Sequence, residues 1–366
     1  MRPDGGRRSR LATLRAAFSL VGAILQGGKG KTHESGAVTC TRHEPVLEGF
    51  GPTDVYESVE SPPARTAVLM MHGLTKGGIC DHRIPTFAST IARGGMPVIL
   101  PEFPRMKQRL MSVEDPGDVL RAAKAIPKEF DVDRVVLLAL SYAAGPTYLA
   151  GAQLGNDELA GILTIGAYYD VEHLSEFTAT GGVRAYGRRQ PTAHDAAKQL
   201  EGRWVFLASA GRWLPDPHDA AVFQEGADAW KNGAAPPWDA VRKRLSGDGC
   251  NLLDYMTLED PDAHAEARAR LAPGVLAAFE QLTLRGKLSG LTAPVVLIHG
   301  RHDVRIPYRE SMLLRNEIAG RCDVKLAVLD AFVHAERAFG WQKFWRVAGD
   351  GLKLGRCGFE ILRWAV

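Results

Sequence analysis

Six apolar runs of strand length recur along the chain, separated by stretches with helical patterns. The runs are apolar at nearly every position, which is typical of strands covered on both faces in a parallel sheet. Strands that alternate with helices predict βαβ units with right-handed crossovers, and hence an α/β fold. The predicted strands cover 67–71, 97–100, 134–140, 160–165, 294–298 and 324–329. The predicted helices between them lie near 82–94, 113–128, 142–154 and 307–320.

Size, charge and cysteine spacing exclude several classes of function. The chain has 366 residues, which is long enough for one large α/β domain with an insertion. Its formal charge of +3 is small and no basic stripe accompanies it, so no nucleic-acid partner is expected. The five cysteines show no metal-ligand spacing and are expected to be free thiols of a cytoplasmic protein. No motif calls for a metal or another cofactor.

The first 38 residues differ from the rest of the chain. Arginines precede an apolar stretch, residues 11–25, whose three- and four-residue spacing predicts an amphipathic helix, and a glycine- and lysine-rich join follows. The stretch is shorter than the roughly 20 residues that cross a bilayer. Three interpretations stay open: the helix packs on the domain or is a loose tail, it makes peripheral contact with a membrane, or it directs export.

A long insertion separates two of the predicted strands. Residues 171–290 lie where a simple connection takes about two to six residues. They include four of the seven tryptophans, and their later part is rich in alanine and leucine. We predict a helical cap, or lid, over the active edge of the sheet. Its tryptophans either line an apolar site for an acyl chain or aromatic group, or hold the cap's helices together. The predicted divisions are 1–38 (N-terminal segment), 39–170 (first part of the core), 171–290 (cap) and 291–366 (second part of the core, with a C-terminal helix).

Ser141 directly follows the third predicted strand. Ala139 and Ala143 flank it two positions away, and only small residues fit there in a tight strand-to-helix turn. Such a turn strains the serine backbone and exposes its oxygen, and the helix that follows favours developing negative charge. The pattern predicts a nucleophile; the alternative is an ordinary helix cap.

A His72-Gly73 turn follows the first predicted strand. A turn at this position bends the chain so that a backbone N–H points at the carbonyl oxygen of a substrate. The candidate oxyanion donors are the N–H groups of Leu74 and Tyr142. The side chain of His72 is expected to bond within the fold.

The candidate acid and base follow the last two predicted strands. Asp303 comes after a glycine turn, and a carboxylate there can hold an imidazole in its tautomer and stabilise the imidazolium. His334 follows the last strand, so serine, aspartate and histidine occur in the order of a known hydrolytic triad. Asp170, after the strand that follows the nucleophile's strand, is an alternative acid.

With these motifs the sequence resembles the α/β-hydrolase superfamily from about residue 53 to about residue 345, the cap being the variable part. The resemblance implies a mostly parallel central sheet flanked by helices, with a helical cap insertion. It assigns Ser141 as nucleophile, Asp303 as acid and His334 as base, with Leu74 and Tyr142 as the oxyanion hole. The core also resembles bacterial hydrolases of unassigned substrate with a similar His-Gly-Leu-Thr turn. One departure is the alanine pair around the serine, where two glycines are usual.

The resulting hypothesis is a serine hydrolase, esterase- or lipase-like, acting on a small ester-like molecule. A carboxylic ester or thioester would be cleaved through an acyl-enzyme, without a cofactor. An acyltransferase with the same triad is one alternative. A non-catalytic binding protein of this fold is another, because fold does not fix function. The sequence carries no signal for the oligomeric state.

Overall fold

The computed structural model describes residues 37–45, 48–61, 64–187, 195–330, 332–333, 336–337 and 344–364. The predicted N-terminal amphipathic helix and His334 lie outside these described residues. None of the helices in the described ranges is both long and apolar enough to cross a membrane.

A mostly parallel sheet of eight strands forms the centre of the protein. The strands are β1 (Val38–His43), β2 (Thr53–Ser58), β3 (Thr66–Met71), β4 (Val98–Pro101), β5 (Arg134–Leu140), β6 (Leu159–Ile165), β7 (Val295–Gly300) and β8 (Val324–Leu329), and a short hairpin follows with β9 (Phe332–Val333) and β10 (Glu336–Arg337). Their order across the sheet is β1-β2-β4-β3-β5-β6-β7-β8. Strands β3 to β8 are parallel, while β1 and β2 add antiparallel pairs at one edge. The six predicted strands are confirmed as β3 to β8.

Helices cover the sheet and fill the insertion between β6 and β7. They are α1 (Arg83–Ala92), α2 (Pro104–Lys107), α3 (Asp115–Glu129), α4 (Ala144–Gly151), α5 (Val171–Thr180), α6 (Ala196–Ala210), α7 (Pro217–Lys231), α8 (Trp238–Arg242), α9 (Gly247–Thr257), α10 (Pro261–Arg268), α11 (Pro273–Leu282), α12 (Tyr308–Ile318) and α13 (Phe344–Arg363). The four helices predicted from the pattern correspond to α1, α3, α4 and α12.

Two apolar clusters lie on the two faces of the sheet, because neighbouring residues of a strand point to opposite faces. Leu69 and Leu137 belong to the cluster under α3 and α4. Val68 and Val136 belong to the cluster that also holds residues of α1 and α13. Both faces are therefore buried, which is why these strands are apolar at almost every position.

The insertion is helical, with α5 to α11 lying between β6 and β7. Three of its tryptophans hold helices together. The ring of Trp204 packs at 4.7 Å from that of Trp238, and the ring of Trp213 packs edge-on against Phe279 at 6.2 Å. Trp230 alone of the four lines the cavity that opens at Ser141. The tryptophans thus serve mainly to pack the insertion, as the second interpretation had it.

Candidate active site

The turn at Ser141 joins β5 to a 3₁₀ helix, Ser141–Ala143, that runs into α4. Leu140 is extended, and Ser141 then has a φ of +56°, in the left-handed region that side chains disfavour. Ala139 and Ala143 are both fully buried beneath the turn. A non-glycine residue held in this way costs on the order of 1–3 kcal/mol. The serine is therefore held in a strained position at the carboxyl edge of the sheet.

Gly73 brings the end of β3 against this turn. Its φ is +72°, and a Cβ added at this position would lie 2.6 Å from the carbonyl oxygen of Leu140. Only glycine combines that backbone angle with so close an approach. The amide of Leu74, the next residue, consequently lies beside the Ser141 turn, and both residues line one cavity.

The ring of His72 orients the peptide that carries this amide. Its Nε2 accepts the N–H of Phe103 at 3.2 Å, so Nδ1 carries the hydrogen and donates to the Gly73 carbonyl at 2.7 Å. Burial lowers the pKa of His72 to about 4, which keeps the ring neutral near pH 7. The Gly73 carbonyl and the Leu74 N–H belong to one trans peptide and point in opposite directions. Fixing the carbonyl thus fixes the direction of the Leu74 N–H.

Tyr142 contributes a second amide and anchors the turn through its ring. Its N–H lies in the first turn of a helix, where amides have no intrahelical acceptor. Its buried hydroxyl donates to Asp115 Oδ2 at 2.8 Å and accepts the N–H of Ser112 at 3.1 Å. Arg105 binds the other oxygen of Asp115 at 3.0 Å. Burial nevertheless raises the pKa of Asp115 above its ordinary value.

Asp303 lies in the turn after β7 and is buried. Its Oδ1 accepts the N–H groups of Arg305 at 2.8 Å and Ile306 at 3.0 Å, which sets the orientation of the carboxylate. Its Oδ2 lies 3.5 Å from Nε2 of His299. Sequence reasoning gave His299 no role, but its Nε2 donates to the Ile306 carbonyl and so braces the same turn.

Asp170, the alternative acid, has structural partners instead. Its carboxylate accepts the N–H of Glu172 at 2.9 Å and thereby caps the N-terminus of α5. It also accepts the Thr283 hydroxyl at 3.3 Å and lies 3.2 Å from the guanidinium of Arg285. Asp170 is not among the described residues that line the cavity with Ser141. His334, the predicted base, lies outside the described residues.

A cavity of about 700 Å³ opens at Ser141, within the range of small-molecule sites. The core contributes the Leu74 and Tyr142 region and the turn after Asp303, and the insertion contributes residues of α5, α6 and α7. The lining is more polar than the tryptophan content of the insertion suggested. Its charged residues in the described part of the chain are Lys76, Asp81, Arg83, Arg109, Lys198, Glu201, Lys231 and Arg305.

An ion pair connects the Asp303 turn to the insertion. The guanidinium of Arg305 binds Glu201 on α6 at 2.5 Å, while its own backbone N–H donates to Asp303. Arg109 and Lys198 lie 3.3 and 3.9 Å from the same carboxylate. These cations lower the pKa of Glu201 although the group is largely buried.

Within the described ranges, no group of three or more His, Cys, Asp or Glu side chains is arranged to hold a metal ion.

The strained backbone of Ser141 predicts a stability difference between two variants. Ser141→Gly should be more stable than Ser141→Ala by about 1 kcal/mol, because glycine adopts a positive φ without a Cβ penalty and alanine does not. Both variants lack the hydroxyl, so the comparison isolates the backbone. Urea unfolding of the two proteins measures the difference. Equal stabilities would show that the serine backbone is unstrained.

Comparison of the sequence with protein-family models gives no match, and comparison with curated proteins gives none either. Solved structures are similar at low sequence identity. A putative hydrolase from Legionella pneumophila is 11% identical, with a TM-score of 0.52 and 83% of each chain covered. A hypothetical protein from Pseudomonas aeruginosa is 14% identical, with a TM-score of 0.47, covering 89% of this chain and 96% of that one. A 2,6-dihydroxy-pseudo-oxynicotine hydrolase is 16% identical, with a TM-score of 0.45, covering 86% and 67%.

The architecture agrees with the similarity to the Legionella structure. Six parallel strands carry two antiparallel strands at one edge, and the strained serine follows β5, near the middle of the sheet. The helical insertion enters after β6. This chain has the α/β-hydrolase fold.

Proposed function

We propose that this protein is a serine hydrolase that cleaves an ester-like bond, either a carboxylic ester or a thioester, through an acyl-enzyme. The observation that carries the proposal is Ser141, which has a φ of +56° and lines a cavity of about 700 Å³. A strained backbone at a cavity wall opposes stability, and a role as nucleophile accounts for its presence. The description of the similar Legionella protein as a hydrolase supports the same reaction class.

In the first half of the proposed reaction, the Ser141 hydroxyl attacks the substrate carbonyl carbon while His334 takes its proton. The N–H groups of Leu74 and Tyr142 donate to the resulting oxyanion. Collapse of the tetrahedral intermediate breaks the bond to the alcohol or thiol, which leaves with the proton from His334. The acyl group stays on the serine.

In the second half, water attacks the acyl carbon and gives a proton to His334. The bond to Ser141 then breaks, the serine regains the proton, and the carboxylic acid leaves. Throughout, Asp303 holds His334 in the tautomer that presents an unprotonated nitrogen to the serine, and it stabilises the imidazolium.

Labelling with a fluorophosphonate probe tests the nucleophile. Wild-type protein should take up one equivalent on the peptide that contains Ser141, and Ser141→Ala should take up none. Circular dichroism of both proteins serves as the folding control. A folded wild-type protein that stays unlabelled would contradict the proposal and favour a binding protein of this fold.

Product analysis separates hydrolysis from acyl transfer. A reactive ester is supplied with and without an added alcohol, and the products are resolved by chromatography. The proposal expects free acid as the main product under both conditions. A new ester that accounts for most of the turnover in the presence of the alcohol would make the protein an acyltransferase.

A further inference from the structure

Arg109 occupies a backbone position that usually belongs to glycine. Helix α2 ends in a Schellman motif, in which the N–H of Arg109 donates to Met106 O at 3.0 Å and that of Leu110 to Arg105 O at 2.9 Å. Arg109 is the left-handed residue of this motif, with a φ of +63°. An L-residue pays a penalty there that glycine avoids. The backbone conformation therefore disfavours arginine at this position. The reason for an arginine lies in what its side chain contacts.

Arg109 lines the same cavity as Ser141, and its side chain has few polar contacts among the described residues. It lies 5.6 Å from the ring centroid of Trp230 and 3.3 Å from Glu201. Its Nε is buried and has no hydrogen-bond acceptor among the described residues. A guanidinium has five N–H donors in a planar fork, and the ion pair with Glu201 is made by Nη1, so donors of the fork remain for a ligand.

The surrounding cavity carries surplus positive charge. Its described lining contains six Lys or Arg residues and two carboxylates, one of which is Asp81, bound by Arg83 at 2.9 Å. The other is Glu201, whose single charge faces Arg305, Lys198 and Arg109. A concave site lined by one sign of charge concentrates ligands of the opposite sign.

We propose that Arg109 binds a carboxylate of the substrate, so that the preferred ester or thioester is one that carries a negative charge. The inference rests on the proposed function and adds the substrate class. A guanidinium fork matches a carboxylate in a bidentate geometry that lysine does not reproduce. Stacking on Trp230 holds the fork in place, and Arg305 and Lys198 add positive charge nearby.

Two matched pairs of esters test the proposal and show which side of the scissile bond carries the charge. The first pair is 4-nitrophenyl hydrogen glutarate and its methyl-capped analogue, which differ by a carboxylate on the acyl side. The second is the butyrate ester of 4-hydroxybenzoate and that of methyl 4-hydroxybenzoate, which differ on the alcohol side. Wild-type protein should prefer the charged member of at least one pair by about tenfold or more in kcat/KM, the size expected of a charge-assisted hydrogen bond.

Arg109→Gly should reduce that preference about tenfold, and the variant should fold because glycine suits the positive φ. Arg321→Gln is the matched control, since Arg321 pairs with Glu317 and does not line the cavity. Its preference should equal that of the wild type. Equal kcat/KM within both pairs, or the same preference in Arg109→Gly as in the control, would overturn the inference.

Calorimetric binding to Ser141→Ala separates a failure of this inference from a failure of the proposed function. Glutarate should bind, the neutral glutaramide should bind more weakly, and adding Arg109→Gly should remove the difference. If Ser141→Ala binds with this pattern but the wild-type protein neither reacts with the fluorophosphonate nor hydrolyses any of the four esters, the hydrolase proposal alone is contradicted. If the wild-type protein hydrolyses neutral esters but glutarate binding does not depend on Arg109, the carboxylate site is contradicted and the hydrolase proposal stands.

Discussion

Asp303→Asn is expected to lower kcat on the order of 10⁴-fold with little loss of stability. The asparagine oxygen can still accept the N–H groups of Arg305 and Ile306, which lie 2.8 and 3.0 Å from Oδ1. Its amide nitrogen, however, replaces a carboxylate oxygen with a donor. In the proposed triad, the imidazole of His334 would then be held in the wrong tautomer, and the imidazolium would lose its counter-charge. Steady-state kinetics on an activated ester and urea unfolding measure the two effects.

Asp170→Asn is the matched comparison for this variant. Asparagine caps a helix N-terminus about as well as aspartate, so α5 should keep its cap, and the pairing with Arg285 is partly exposed. Activity should stay close to that of the wild type. A large loss in Asp170→Asn with little effect in Asp303→Asn would assign the acid to Asp170.

Gly73→Ala is expected to lower kcat/KM about 100-fold or more and to destabilise the fold. Its Cβ would lie 2.6 Å from the carbonyl oxygen of Leu140, immediately before Ser141, so either that turn or the Leu74 amide must move. The loss of one oxyanion donor alone costs on the order of 100-fold. The alanine also pays about 1 kcal/mol for its positive φ.

Gly286→Ala separates the two effects of Gly73→Ala, which are the displacement of neighbouring atoms and the strain of a positive φ. Gly286 has a φ of +74°, nearly that of Gly73, but a Cβ there would meet nothing within 4 Å. Gly286→Ala should therefore be destabilised only by the strain of its positive φ, and it should keep its activity. Kinetics and urea unfolding of both variants give the comparison. Equal losses of activity would mean that the close approach of Gly73 to Leu140 has no catalytic importance.

The parallel part of the fold could be predicted because burial on both faces makes strands β3 to β7 apolar at nearly every position, and β8 is apolar except at Lys325. The edge strands β1 and β2 were not predicted, because neither contains a continuous apolar run. β1 exposes nearly all of its side chains and has the sequence VTCTRH, which contains no apolar run. β2 is largely buried, but its sequence TDVYES has only two apolar residues in a row, Val55 and Tyr56, too few to stand out as a run. Pairing in the sheet, which is a tertiary property, decides the conformation of both.

The turn chemistry of the site was readable because it follows local rules. A strained serine between alanines, a glycine after β3 and an aspartate after β7 each have a short sequence signature. Contacts between distant parts of the chain have no such sequence signature. The bond between Tyr142 and Asp115 joins two elements that no spacing rule relates, and the same holds for Arg109 and Glu201. The charge of the cavity could therefore be seen only in three dimensions.

The strand at the open edge of the sheet bears on how the protein behaves at high concentration. β1 hydrogen-bonds to β2 on one side only among the described strands, and an unpaired edge is a template on which a second chain can add a strand. Here the edge exposes Arg42 and His43, and Arg42 is held by both oxygens of Asp54 at 2.6 and 2.7 Å. β8, at the opposite edge, exposes Lys325. The charged side chains on both edge strands make edge-to-edge growth into fibrils unfavourable, so they protect against aggregation.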